Sequence, residues 1–253
     1  MPGLYKEQGI VLGSVKLAEA DKIITILTQG SGKVRAVAKG IRRTQSRFGA
    51  RLEPFTHVSL MLYRGRNLDT VTQAEIVHPF RGLREDFALF SAGEAMLESV
   101  DKVAEEHERN VRLFLLLKQG LGTLEDGPSD PAAVAEAFLL RLLNLSGFAP
   151  SLQACAECGR RDVHRFSFGQ GGAVCEDCRD RDARKASVEA LGWLAGLLTV
   201  EMAEAGAVPT PVRGEARALL YGFAEYHLER RMRSLPLLAG LRPEQPTLDP
   251  AKH

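Results

Sequence analysis

Apolar and polar positions alternate with a two-residue period over roughly the first eighty residues and with a helical period afterwards, so the chain changes architecture near residue 80. Short runs at Gly9–Leu17, Lys22–Thr28, Lys33–Lys39, Val58–Arg64 and Leu68–Ile76 read as five strands, separated by the turn-rich EAD, QGSG and GRN. In the third run Val34, Ala36 and Ala38 share one face, and Lys33, Arg35, Val37 and Lys39 share the other. In the fourth, Val58, Leu60 and Leu62 point inward and leave Met61 and Tyr63 outside. Five strands with a long connection after the third predict a small closed barrel of the OB type, with SH3-like barrels as the alternative of similar size.

From Leu83 onward the pattern predicts helices. Asp86–Ala104 sets Leu89, Met96, Leu97, Val100 and Val103 on one stripe, and Val111–Leu121 carries the dense apolar run of a buried helix. Asp130 followed by Pro131 gives an N-cap and a first-turn proline for a helix reaching about Gly147, with Val134, Phe138, Leu142 and Leu145 inward. Ser187 caps a helix lined by Leu191, Leu194, Leu198 and Met202 and stopped by Gly206 and Pro209. A last helix runs from Glu215 to about Arg233 with Leu219, Leu220, Phe223 and Tyr226 on its apolar face. The predicted class is α+β. Residues 1–80 form a five-stranded β-barrel (OB-fold), 81–235 an all-helical domain with a four-cysteine zinc module at 154–179, and 236–253, with four prolines, an extended tail.

Charge changes this picture more than bulk composition does. The 253 residues are 45% hydrophobic and 26% charged, an ordinary globular balance, and the net charge is only +1. Residues 1–80, however, hold twelve Lys/Arg against six Asp/Glu, leaving twenty-one against twenty-six in the remainder. A basic front half implies an anionic ligand. Lys33, Arg35 and Lys39 on the strand and Arg42, Arg43, Arg47 and Arg51 on the following loop put seven cations within nineteen residues, with no acid before Glu53. Such a row suits a chain of phosphates, and Arg64 and Arg66 extend it; the same residues also read as a solvated edge strand that its charges keep from pairing. Phe48 and Tyr63 are candidates to stack on bases, with core packing the alternative for each.

The N-terminus MPGLYKEQG lacks an apolar signal core, and no apolar run approaches the roughly 18 residues that span a bilayer, which predicts a cytoplasmic protein without a membrane partner. In that compartment cysteines serve metals or redox chemistry before disulfides. Cys155, Cys158, Cys175 and Cys178 form C-x2-C-x16-C-x2-C, the spacing with which two tight turns bring four thiolates to one structural zinc ion. Gly159, Gly169, Gly171 and Gly172 give these turns backbone freedom. Between Ala154 and Ala186 seven Lys/Arg stand against six acids, so the module is nearly neutral and reads as a staple of the helical half.

No enzyme signature emerges. Gly30, Ser31, Gly32 and Lys33 fail as a phosphate loop because Leu27 and Val34 occupy the places of its first glycine and its hydroxyl. No H-x-E precedes Cys155, His164 reads as a loop histidine, and His57, His78, His107 and His227 have no nucleophile motif beside them, His227 reading as a packed helix-face residue. The expectation is a non-enzyme without a small-molecule substrate.

Asp21 with KIITILTQGSGKVRAVAKGIRR, then RFGARLEPF, then a helical half containing CAECGRR and GGAVCEDC, together resemble the RecO family of bacterial DNA repair proteins over nearly the whole chain. The resemblance implies an OB-fold followed by a helical domain with a zinc module, at work in recombinational repair at the nucleoid. It implies binding of single-stranded and double-stranded DNA, annealing of complementary strands, partnership with RecR, and help in loading RecA where single-strand-binding protein coats the DNA. Carried over by position, the DNA surface comprises Lys33, Arg35, Lys39, Arg42, Arg43, Arg47 and Arg51. It leaves open whether Arg230, Arg231 and Arg233 also touch DNA or are the basic end of a helix. The rival from another class is a scaffold of a repair complex whose barrel docks an acidic partner tail; a metal-dependent nuclease lacks the carboxylate cluster it needs.

Overall fold

The computed structural model describes residues 3–46, 48–205 and 210–240. Arg47, the stop signals Gly206 and Pro209, and the tail from residue 241 lie outside the described residues.

The front half contains β1 (Leu4–Lys16), β2 (Lys22–Thr28), β3 (Gly32–Ala38), β4 (His57–Tyr63) and β5 (Asp69–His78). Antiparallel ladders join β1 to β2, β2 to β3, β4 to β5 and β1 to β4. A short parallel contact, Ala36 beside Asp69 and Val37 beside Thr70, closes the ring in the order β1-β2-β3-β5-β4. β1 is longer than its hydrophobic pattern predicts because it serves two partners. Its first half pairs with β4 and its second with β2, and a register shift between Val11 and Gly13 bends it where it passes from one to the other. The alternation in β3 holds: Val34, Ala36 and Ala38 are buried, while Lys33, Arg35 and Val37 face outward.

The back half contains α1 (Phe87–Val103), α2 (Val111–Glu125), α3 (Pro131–Leu145), α4 (Val188–Thr199), α5 (Thr210–His227) and α6 (Leu235–Gly240). Asp86, Asn110, Asp130 and Ser187 each cap a helix by accepting from the backbone N–H three residues on. α4 ends at Thr199, and Met202 sits in a separate 3-10 turn. α5 ends at His227, so Arg230, Arg231 and Arg233 follow the helix in a turn that Glu229 enters with a positive φ of 51°. Where the sequence predicts an extended tail, Leu235–Gly240 is a short helix with Leu235 and Leu238 buried. The cysteine region adds a three-stranded sheet, β6 (Arg165–Ser167), β7 (Gly172–Val174) and β8 (Arg184–Lys185), in the order β7-β6-β8.

The two halves share core. Ile10, Leu12, Leu27 and Phe55 of the barrel belong to the same buried cluster as Met96 and Leu97 of α1 and Phe114 of α2. Gly93 makes this approach feasible, because a Cβ there would sit 2.7 Å from the Phe55 ring. Gly32 does the same at the other contact: its φ is +69°, and a Cβ would fall 2.0 Å from the Glu108 carbonyl oxygen. His57 is wedged between the halves, 2% exposed, with its ring edge-on to Phe114 and neither nitrogen hydrogen-bonded. Burial, with Lys118 and His78 nearby, lowers its pKa to about 4.

Candidate nucleic-acid interface and metal centre

The loop after β3 is sorted by polarity. Ile41, Phe48 and Leu52 turn inward and plug the end of the barrel, joining Val11, Ile24 and Val58 in its core. Burying these three leaves the side chains between them at the surface, and Arg42, Arg43 and Arg51 are exposed. The start of the loop is fixed against the turn between β1 and β2. Gly40 donates its N–H to Asp21 Oδ1 at 2.8 Å, and Arg42 donates from its backbone to Ala20 O at 3.0 Å and from Nη1 to Glu19 O at 2.8 Å. Lys39 stands exposed beside them. Phe48, 1% exposed, is core and cannot stack on a base; Tyr63, 46% exposed, remains on the surface.

The other cations lie elsewhere. β3 and β5 run parallel, so the start of β3 shares a barrel end with the β4–β5 turn, while its finish shares the opposite end with the β1–β2 turn. Lys33 and Arg35, nearer the start, are engaged by acids of the helical half. Lys33 Nζ lies 3.3 Å from Asp101 Oδ1, and Arg35 Nη1 lies 3.7 Å from Glu106 Oε1. Arg64 and Arg66 border a polar cleft of about 360 Å³ at that end, shared with Ser31, Asn67 and His107. Arg64 also stacks over Tyr5 at 4.9 Å. The expected single row is therefore two groups: Lys39, Arg42, Arg43 and Arg51 at one end, Arg64 and Arg66 at the other. Sequence periodicity placed the cations outward but could not reveal the acids of residues 101–106 that cover the middle.

In the cysteine module the Sγ atoms of Cys155, Cys158, Cys175 and Cys178 all lie within 4.8 Å of one another. The first turn closes by Gly159 N–H donating to Cys155 O at 2.9 Å, with Gly159 at φ +75°. Arg160, by side-chain and backbone hydrogen bonds, holds the Cys158 thiol down to about 6, while hydrogen bonds with Cys175 and Cys158 push Cys178 up to about 12. Four thiols this close compete for ionisation, and a divalent cation among them relieves that competition by stabilising thiolates. The donor set fits a metal ion held in a closed site. His164 is not part of it: its Nε2 lies 2.9 Å from Asp162 Oδ1 on the surface. The small sheet ties the module to the helices through Phe166, whose ring meets Phe223 of α5 edge-on at 5.7 Å. His227 is packed as expected, 4.2 Å from the Phe223 ring centroid and bonded through Nε2 to Phe168 O at 3.0 Å.

A cluster that sequence reasoning missed lies between α3 and α5. Glu136 is fully buried and takes Arg217 Nε at 2.6 Å and Arg213 Nη2 at 3.4 Å, while Arg213 Nη2 also bonds Asp130 Oδ1 at 2.9 Å. The sequence signal was Glu136, an acid set among the apolar residues of 132–140 and needing a cation from elsewhere.

The structure is that of a two-part protein, an OB-type barrel joined to a helical half with a four-cysteine site, and comparison with known families says which family has this arrangement. The family model "Recombination protein O N terminal" matches residues 1–80 and "Recombination protein O C terminal" matches residues 84–236. A protein of Thermobifida fusca named DNA repair protein RecO is 45% identical over 238 residues, 93% of this chain and 98% of its own length. Proteins of the same name from Streptomyces avermitilis and Bifidobacterium longum are 45% and 40% identical, over 92% and 93% of this chain and 97% and 98% of theirs. The chain belongs to the RecO family, and this membership supports a role in DNA repair and recombination. No helix among the described residues is long and apolar enough to cross a membrane.

Proposed function

We propose that the protein is a non-catalytic DNA-binding and strand-annealing mediator of recombinational repair. It works in the cytoplasm with RecR to load RecA onto single-stranded DNA coated by single-strand-binding protein. The observation that carries this reading is the exposed group Lys39, Arg42, Arg43 and Arg51, on a loop that Gly40 and Arg42 fasten to the β1–β2 turn, with no acid paired to Lys39, Arg42 or Arg43 among the described residues. In OB barrels the face of the second and third strands and the flanking loops are where oligonucleotides lie. Cations there neutralise the phosphates of two approaching strands and leave the bases free to pair. Arg64 and Arg66 form a second contact region, with Tyr63 available for stacking. Lys33 and Arg35 hold the two halves together in this reading, since both are engaged by acids.

Cys155, Cys158, Cys175 and Cys178 would hold one zinc ion. The ion supplies structural cross-linking, and with four thiolates around it there is no open position for a reacting water. The direct test is binding of the purified chain to a bare oligonucleotide, and annealing of complementary strands, compared with the Arg42→Ala/Arg43→Ala/Arg51→Ala variant. The reading expects both to drop together. Full binding by the variant would favour a scaffold that meets DNA only through a partner.

A further inference from the structure

A groove of about 570 Å³ is lined by β1 at Leu12 to Val15, by α1, and by Leu237 of α6. Its floor is apolar. Leu12 and Leu97 are buried, while Val15, Phe90 and Leu237 keep 57%, 39% and 48% of their surface exposed. Phe90, Glu94, Leu97, Glu98 and Asp101 recur at helical spacing, so α1 presents one mixed apolar and acidic stripe to the groove. Two of the three carboxylates are occupied. Glu98 accepts from the backbone N–H groups of Arg233 and Ser234 and from the Ser234 hydroxyl, and Asp101 takes Lys33. Glu94 is half-buried and has no hydrogen bond or ion pair among the described residues; burial, then the neighbouring Glu98 charge, pushes its pKa upward. Lys102 and Arg233 also line the groove, yet neither pairs with Glu94.

A half-buried carboxylate without a counter-ion costs free energy that an incoming cation relieves. Exposed apolar side chains flanking it add area that the same ligand can cover. Glu94, the one carboxylate of the groove without a partner among the described residues, repels a phosphate and attracts a cation, so the occupant we assign is a protein segment and not nucleic acid. We propose that this groove docks a segment of a partner protein that presents a Lys or Arg beside apolar side chains, the cation on Glu94 and the apolar groups against Val15, Phe90 and Leu237. None of Lys39, Arg42, Arg43 and Arg51 lines the groove, and the proposal does not depend on the DNA-binding reading.

The probe is a short fluorescein-labelled peptide of alternating leucine and arginine, with a leucine–glutamate peptide of equal length as control. Both are titrated by anisotropy against the full chain at about 0.15 M salt, where long-range attraction is screened. The expected result is binding of the arginine peptide alone, weakened about tenfold by Glu94→Gln, the loss of one hydrogen-bonded charge. Val15→Ser, a surface change that leaves the fold intact, weakens it as well, whereas Arg42→Ala/Arg43→Ala/Arg51→Ala does not. Unchanged binding in Glu94→Gln or in Val15→Ser, or equal binding of the glutamate peptide, overturns the proposal. Tighter binding by a chain ending at Gly240 would assign the groove to this chain's own C-terminal residues, and self-association abolished by Val15→Ser would assign it to a second copy; either result also overturns it.

Discussion

Lys33 donates from Nζ to the main-chain carbonyl of Asp101 at 2.7 Å and lies 3.3 Å from the same residue's carboxylate, so the first cation of the basic strand fastens the barrel to α1. Its backbone joins in: the Lys33 carbonyl accepts from His107 N–H at 3.0 Å. A residue that reads as a phosphate ligand is thus part of the junction between the two halves.

Lys33→Ala and Arg42→Ala/Arg43→Ala should therefore fail differently. Removing the Lys33 contacts costs about 1 kcal/mol, a drop of roughly 2–4 °C in Tm for a chain of this size, with little change in affinity for single-stranded DNA. The double arginine variant should melt like the parent and bind DNA more weakly. Calorimetry and anisotropy on the same samples separate the two. Equal losses of DNA binding would return Lys33 to the DNA surface.

His57 gives the junction a pH dependence. Its pKa falls from the ordinary 6.5 to about 4 on folding, so the folded protein binds the neutral ring better than the charged one. The contribution is intact above pH 6.5 and is lost progressively as pH falls from 6.5 toward 4, because the unfolded chain gains a proton that the folded one does not. Urea unfolding of the parent should lose stability over that window, and His57→Phe should flatten the loss. Parallel curves for the two proteins would refute the assignment.

Arg213 is bonded to Asp130 and paired with Glu136, each 4% exposed or less. Arg213→Met leaves two buried carboxylates short of their counter-ion and should cost about 3–5 kcal/mol, the usual consequence of breaking a buried pair from one side. A loss under about 1 kcal/mol in chemical denaturation would mean that Arg217 alone satisfies the cluster.

Elemental analysis should find one zinc per chain, lost in Cys155→Ser and Cys175→Ser. Because the module is fastened to α5 through Phe166, metal removal should lower the melting temperature of the back half. Affinity of the barrel for DNA should stay within about twofold at temperatures where the barrel remains folded, since the four cysteines belong to the helical half and not to the loop that carries Lys39 and Arg42. A metal-free chain that melts like the parent would contradict the staple.

Much of this was legible in the sequence, and the failures have physical reasons. Two-residue alternation placed β2, β3 and β4 almost to the residue, and the caps Asp130 and Ser187 marked two helix starts, because both signals are local. The cysteine spacing predicted the sulfur cluster for the same reason. What was hidden is long-range. Phe48 read equally as a stacking candidate or as core, because nothing nearby in sequence shows that it plugs the barrel together with Leu52. Lys33 and Arg35 looked free because their partners Asp101 and Glu106 are some seventy residues away. The charges of α3 and α5 found each other only in the fold.

The central claim, that the barrel binds bare polynucleotide through its cations, is tested most directly by the salt dependence of affinity for an unstructured oligonucleotide. If about five phosphates are engaged, log affinity should fall against log salt with a slope near −3.5, and Arg42→Ala/Arg43→Ala/Arg51→Ala should reduce that slope by about 2. An affinity nearly indifferent to salt, or a slope that the triple variant leaves unchanged, would contradict the account.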